Sequence, residues 1–88
     1  MENEIKLTKF QKRDLDYIKE TLSWSIFPRC PLKRVKTDDM LGFQLGCMLA
    51  EKRPIVYLTN IFDPITPNTA KIIYETYEKL LLDGWMVD

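Results

Sequence analysis

The sequence contains no histidine, and its two cysteines, Cys30 and Cys47, do not form a CxxC pair. Because structural zinc sites are built from closely spaced cysteines and histidines, this shortage argues against a metal site. The chain has only three glycines and lacks the glycine-rich loop that holds phosphate groups. Catalysis needs convergent titratable or nucleophilic groups, and no such constellation is visible in the pattern. We therefore expect a protein that is not an enzyme and that carries no metal or other cofactor.

Long apolar runs are missing as well. The longest, from Met40 to Ala50, is interrupted by Gln44 and has about half the length that a membrane-spanning helix needs. The N-terminus lacks the charge and apolar pattern of a signal peptide, so we expect two reduced thiols rather than a disulfide. Together these features predict a cytoplasmic protein that does not enter a membrane.

The net charge of the whole chain is zero, but its N-terminal and C-terminal parts carry net charges of opposite sign. Thirteen basic and 13 acidic residues cancel, whereas residues 1–36 carry a net charge of +4 and residues 37–88 carry −4. Zero net charge disfavours a dedicated nucleic-acid binder, although a basic half can supply a local patch. The length of 88 residues and the hydrophobic content of 45% predict one domain, residues 1–88, with a packed core.

Three segments have the patterns of helices. Thr8 and Gln11 have the spacing of a capping box, which predicts a helix over about residues 9–22. A second helix is predicted over 38–53, where a threonine and two aspartates mark the start and a proline marks the end. A third is predicted over 67–83, which begins with a threonine–proline pair and is followed by a glycine.

One strand is predicted over residues 54–61, which are rich in β-branched and aromatic residues and bounded by prolines. A strand needs a partner, and residues 33–35, residues 85–87 or another chain could supply it. The predicted fold class is α+β, with three helices and one to three short strands. These could form a winged-helix-like domain or a small helix-on-sheet domain.

One segment resembles a DNA-binding motif. Ile65-Thr66-Pro67-Asn68-Thr69-Ala70, an amphipathic stretch and Gly84-Trp85-Met86-Val87 are similar to the recognition-helix segment of GntR-type winged-helix regulators. In that family the start of the helix meets DNA, so the resemblance implies nucleic-acid contacts from Thr66, Asn68, Thr69 and Lys71. Small polar side chains suit phosphates, and asparagine or lysine can reach base edges. The basic connection between the first two predicted helices would add phosphate contacts, or would be a solvated loop: Arg29, Lys33, Arg34 and Lys36.

A second resemblance concerns an enzyme family. Leu41-Gly42-Phe43-Gln44-Leu45-Gly46, followed by Ala50 and Pro54-Ile55-Val56, resembles the helix-then-strand segment of nucleoside deoxyribosyltransferases. In that family a glutamate in the helix is the nucleophile, and Gln44 holds the matching position here. An amide cannot form the covalent intermediate that a carboxylate forms. This departure agrees with the expectation that the chain is not an enzyme.

Two functions from different classes stay open. The first is a DNA-binding transcriptional regulator, which could act as a homodimer. The second is a protein–protein interaction module, such as an inhibitor of a host protein encoded by a phage or another mobile element. Because aromatic residues dominate interface hot spots, four are candidate protein-binding residues, although each could equally belong to the core: Trp24, Phe27, Tyr57 and Trp85.

Overall fold

The computed structural model describes residues 6–35 and 42–88. These residues form, in chain order, α1 Lys9–Lys19, a short 3₁₀ turn Thr21–Ser23, β1 Arg29–Val35, β2 Phe43–Leu49, β3 Ile55–Tyr57, β4 Lys71–Ile73, α2 Tyr77–Leu82 and β5 Met86–Val87. The five strands build one antiparallel sheet of order β4-β3-β2-β1-β5. Neither helix in this part of the chain is long and apolar enough to cross a membrane.

The hairpin of β1 and β2 is the centre of the sheet. Its register runs from Arg29 opposite Leu49 to Val35 opposite Phe43. The strand β5 pairs with the other side of β1, and β3 and β4 extend the sheet beyond β2. Successive side chains of a strand point to opposite faces, so this register determines which residues share a face.

The main core lies between the two helices and one face of the sheet. It is formed by these buried side chains: Ile18, Trp24, Cys30, Leu32, Met48, Val56, Leu80, Leu81 and Trp85. A smaller cluster of Cys47, Ile55 and Tyr57 lies on the opposite face, where Leu49, Ile61 and Ile65 pack against it. The segment 58–70 therefore covers that face over β3 and over the end of the β1–β2 hairpin where Arg29 lies opposite Leu49.

The first helix confirms the prediction from the sequence. The hydroxyl of Thr8 accepts a hydrogen bond from the backbone N–H of Gln11 at 3.1 Å, and the side-chain oxygen of Gln11 accepts from the backbone N–H of Thr8 at 2.9 Å. This is the expected capping box. The amide of Gln11 also donates to the carbonyl of Leu81 at 3.1 Å, so the same residue joins the start of α1 to α2.

The second predicted helix is wrong, because β2 occupies its centre and residues 36–41 lie outside the described part of the chain. Three consecutive residues of β2, Gly46, Cys47 and Met48, are buried. A strand buried on both faces has the same continuous apolar pattern as a buried helix, and periodicity alone does not separate them. Layers on both faces cover only this part of β2, since Phe43 and Leu45 are 51% and 53% exposed.

The third predicted helix is also wrong over its first half. Residues 66–69 form a turn in which the hydroxyl of Thr69 accepts from the N–H of Thr66 at 2.9 Å, and the hydroxyl of Thr66 accepts from the N–H of Asn68 at 3.2 Å. The short polar side chains that cap helices also close turns, so the capping pattern was ambiguous. The β-branched pair Ile72 and Ile73 then pairs with β3.

The end of this segment agrees better with the prediction. The helix α2 has its cap at Thr76, whose hydroxyl accepts from the N–H of Lys79 at 3.1 Å. Lys79 also forms an ion pair with Glu75, four residues earlier in the chain. Gly84 follows the end of the helix with a φ of +103°, a left-handed conformation that favours glycine.

The predicted fold class therefore needs correction. The domain is α+β, but its framework is a five-stranded antiparallel sheet with two α-helices in the described residues, not three helices with a few short strands or a winged-helix arrangement. The strand predicted over residues 54–61 is present as the shorter β3. Its neighbours are β2 and β4, whereas residues 33–35 belong to β1 and residues 85–87 overlap β5 at the far edge. Local patterns located the strand but not its partners.

Candidate functional site

The residues that the sequence suggested for DNA contact do not share a recognition helix. Thr66, Asn68 and Thr69 lie in the turn before β4, and Lys71 is the first residue of β4. Of the four basic residues of the predicted connection, Lys36 lies outside the described residues and the others belong to β1: Arg29, Lys33 and Arg34. Alternation along the strand directs Arg34 to the helix-covered face and the other two to the opposite face.

Arg29 fastens the loop that follows β3. Its Nη1 donates to three backbone carbonyls at 3.3, 2.9 and 2.7 Å, those of Asn60, Ile61 and Asp63. Within the loop, the side-chain oxygen of Asn60 accepts from the backbone N–H groups of Phe62 and Asp63 at 2.7 and 2.9 Å. The guanidinium group is thus engaged in holding the covering loop rather than turned toward a phosphate.

We expect the substitution Arg29→Ala to loosen this loop and to expose Cys47. Burial raises the pKa of the Cys47 thiol, although the charge of Arg29 opposes this, so the thiol is protected in the folded protein. Loss of the three hydrogen bonds is expected to lower the free energy of local opening by about 1.4 kcal/mol. The rate at which a disulfide reagent modifies Cys47 should then rise about tenfold. The rate is measured at each cysteine by mass spectrometry.

Cys30 is the internal control for this experiment. It lies in the main core on the other face of the sheet, where burial and, to a lesser extent, the carboxylate of Asp14 raise its pKa to about 12. Its modification should stay slow in Arg29→Ala. Equal acceleration at both thiols would mean that the substitution unfolds the whole domain, and no acceleration at Cys47 would mean that Arg29 does not hold the loop.

Arg34 belongs to a network of side chains at the end of the main core. It donates to the carboxylate of Asp83 at 2.7 Å and to the side-chain oxygen of Gln44 at 2.7 and 3.2 Å. The hydroxyl of Tyr74 also donates to Asp83 and accepts from the indole N–H of Trp85 at 2.9 Å. Burial and the bond to Asp83 raise the pKa of Tyr74. Because these groups bind one another, they stabilise the packing of α2 and β5 and are not directed at a ligand.

A second network lies at the end of β3. The carboxylate of Glu51 accepts from the hydroxyl of Tyr57 at 2.7 Å and from Arg53 at 2.9 Å. Partial burial raises the pKa of Glu51, but the hydrogen bonds from Arg53 and Tyr57 outweigh it and the pKa is lowered. Within residues 6–35 and 42–88, no three cysteine or carboxylate side chains are grouped so that they could hold a metal ion.

Three of the four aromatic residues suggested for protein binding are in the interior. Trp24, Tyr57 and Trp85 are 5%, 7% and 1% exposed, and the indole N–H of Trp24 donates to the carbonyl of Tyr17 at 2.9 Å. Phe27, in the turn before β1, is half exposed. Of these four residues, only Phe27 therefore presents a large surface to a partner.

Several large apolar side chains lie on the part of the helix-free face that segment 58–70 does not cover. The register directs alternate side chains of three neighbouring strands to it. Val35, Phe43 and Leu45 are 51%, 51% and 53% exposed there. We call this surface the open strip, and it consists of Pro31, Lys33, Val35, Phe43, Leu45 and Met86 with the adjoining Phe62 and Asp88.

Phe62 projects from segment 58–70 at the border of the open strip. Its side chain is 86% exposed. Beside it lies a depression of about 200 Å³, to which Pro31, Leu45 and Asp88 contribute. The open strip therefore combines a flat apolar area with a projecting ring and a recess.

The charges within the open strip neutralise each other. Lys33 lies across from Leu45 on one side and Met86 on the other, which places it at the centre. Its Nζ is 3.3 Å from a carboxylate oxygen of Asp88 and 5.1 Å from the centre of the Phe43 ring. The surface is thus apolar and carries one balanced ion pair.

Sequence reasoning missed Phe43, Leu45 and Phe62 as functional candidates. Once β2 is recognised as a strand, alternation places Phe43, Leu45 and Cys47 on one face and Gln44 and Gly46 on the other. This period of two is the signal from which the two exposed residues could have been found. No comparable local signal marks Phe62, because its position beside β2 depends on the fold of the whole loop.

Comparison with known proteins does not assign the chain to a family. No protein-family model, curated protein or solved structure matches the chain. The resemblance to GntR-type regulators stays a prediction, and the helix start on which it depended is a turn followed by β4. The geometry of the open strip is therefore the basis for assigning a function.

Proposed function

We propose that the chain is a protein-binding module whose partner docks on the open strip. The observation that carries this proposal is the contiguous exposure of large apolar side chains: Val35, Phe43, Leu45 and Phe62. Single exposed apolar residues are normal on any protein, whereas a group on one face marks an interaction site. Full burial of one such side chain contributes about 1.5–3 kcal/mol, so a few half-exposed ones can support binding.

The charges on this surface favour a protein over DNA. Binding to nucleic acid depends on cations that neutralise phosphates. On the open strip Lys33 is already paired with Asp88 at 3.3 Å, and Arg29 is engaged by three backbone carbonyls. A partner with an apolar surface of low charge matches this face better than a polyanion does.

The substitution Leu45→Glu tests the proposal. It places a carboxylate at the centre of the open strip, where the side chain is 53% exposed and a charge is compatible with folding. A docked partner would desolvate that carboxylate beside Lys33, which already pairs with Asp88, and would leave a net negative charge in the interface, so we expect capture of the partner from a lysate of the source cell to fall more than about tenfold. Capture is measured with the immobilised protein and quantitative mass spectrometry.

Phe10→Glu is the matched control. Phe10 is 73% exposed on α1, on the side of the sheet opposite the open strip. The same change of apolar to acidic residue should leave capture unchanged there. Identical sets and amounts of captured protein for wild type and Leu45→Glu would show that the open strip is not a docking surface.

A further inference from the structure

We infer that the occupant of the open strip is a second copy of this chain, and that two copies pack sheet on sheet about a two-fold axis. The inference rests on the proposed docking function and names the partner. In a two-fold interface both subunits use the same patch, so that patch must be complementary to itself. The open strip is complementary to itself in three respects: its ion pair, its apolar residues, and its projecting Phe62 ring with the recess beside it.

The ion pair at the centre of the strip is self-complementary. Lys33 and Asp88 lie side by side, with Nζ and the carboxylate oxygen 3.3 Å apart, and both side chains are partly exposed. A two-fold axis beside this pair sets each Lys33 against the Asp88 of the other copy. Four charges then alternate in sign, and opposite charges meet across the interface in both directions. The net charge of zero adds no overall repulsion between copies.

The apolar residues are arranged around the same point. Leu45 and Met86 flank Lys33 on its two neighbouring strands, so an axis near Lys33 brings apolar residues of one copy onto apolar residues of the other. Phe62 projects beside a recess on the same face. In two copies related by this axis, the Phe62 ring of each copy can enter the recess of the other.

The edges of the sheet are less suited to self-association than its face. At the β5 edge the backbone N–H of Val87 donates to the carboxylate of Asp14 at 3.2 Å, so this group is already satisfied by α1. At the other edge β4 has only three residues and begins with Lys71. Short edge strands that carry lysine resist pairing with further strands. Association is therefore directed to the face.

Sedimentation velocity on the full chain, over concentrations up to about 1 mM, tests the inference. We expect the mass of the wild type to rise from one chain to two. Leu45→Glu and Phe62→Ser should remain single chains over the same range, and Phe10→Glu should dimerise like the wild type. Because Phe62 is 86% exposed, Phe62→Ser leaves the core intact and keeps the test valid if Leu45→Glu fails to fold.

A charge exchange tests the two-fold arrangement itself. Lys33→Glu and Asp88→Lys each place like charges against each other across the axis, so each variant alone should dimerise more than about tenfold more weakly. An equimolar mixture should form heterodimers with affinity near that of the wild type, because both pairs across the axis are then opposite in sign. Failure of the mixture to recover would contradict the arrangement.

The outcomes separate this inference from the proposed function. A wild type that stays a single chain overturns the dimer. If its capture of another protein still depends on Leu45, the docking function stands with a different partner, and if capture does not depend on Leu45, both ideas fail. A dimer that persists in Leu45→Glu and Phe62→Ser also overturns the inference, since it must use another surface.

Discussion

The substitution Trp85→Ala is expected to lower the free energy of unfolding by about 3–5 kcal/mol, the range for a large aromatic residue removed from a core. Trp85 is 1% exposed and belongs to the main core. Its indole N–H donates to the hydroxyl of Tyr74 at 2.9 Å, and the guanidinium of Arg34 lies 4.6 Å from its ring. Alanine would leave a cavity and remove the donor and the stacking surface together.

This loss is large for a small domain, whose total stability is about 5–15 kcal/mol. We expect urea unfolding of Trp85→Ala, followed by circular dichroism, to show a midpoint shifted to low urea or a chain partly unfolded in buffer. Trp85→Phe is the control, because it keeps an aromatic ring and loses the hydrogen bond, and it should be destabilised much less. A loss of under about 1 kcal/mol in the alanine variant would contradict the central role of this side chain.

The second large effect is expected at Gly46, the residue of β2 on which Trp85 packs. A Cβ at this position would lie 2.7 Å from Cγ1 of Val56 and 3.1 Å from the indole ring. Alanine in place of a strand glycine normally stabilises by reducing the freedom of the unfolded chain. Here the clash should reverse the sign, and we expect Gly46→Ala to lower stability by about 1–3 kcal/mol, the usual range for an overpacked core.

A double-variant cycle checks the cause. Val56→Ala removes Cγ1, the atom nearest the new Cβ. If the clash is responsible, Gly46→Ala combined with Val56→Ala should cost less than the two single changes added together, with a coupling of about 0.5–3 kcal/mol. Leu45→Ala, next to Gly46 but half exposed, serves as a control with a small effect. Strict additivity of the two changes would point to a different cause.

The elements that the sequence predicted correctly are those whose structure depends on interactions between residues close together in the sequence. The capping box of Thr8 and Gln11 is complete within four residues, and it located α1. Gly84 likewise marked a helix end, since its φ of +103° is a local requirement. The strand β2 was missed because the layers that bury Gly46, Cys47 and Met48 are contributed by distant segments, which local patterns do not reveal.

The site was harder to predict for the same reason. The sequence marked Lys33 as one of a basic cluster, but its partner Asp88 comes from the other end of the domain and is brought close only by β5. The exposure of Leu45 and the burial of Met48 in the same strand likewise depend on what covers each face. Composition alone could suggest a binding protein but could not locate the binding surface.

The position of β5 has a consequence for synthesis on the ribosome. The strand β1 lies between β2 and β5. Its pairing with β5, in which Leu32 lies opposite Val87, joins it to the last described strand. Until that strand has been translated, β1 is an open edge and the core residue Leu32 lacks its cover. Pairing on this side of β1 therefore waits until β5 has been synthesised, and during that interval the open edge favours aggregation.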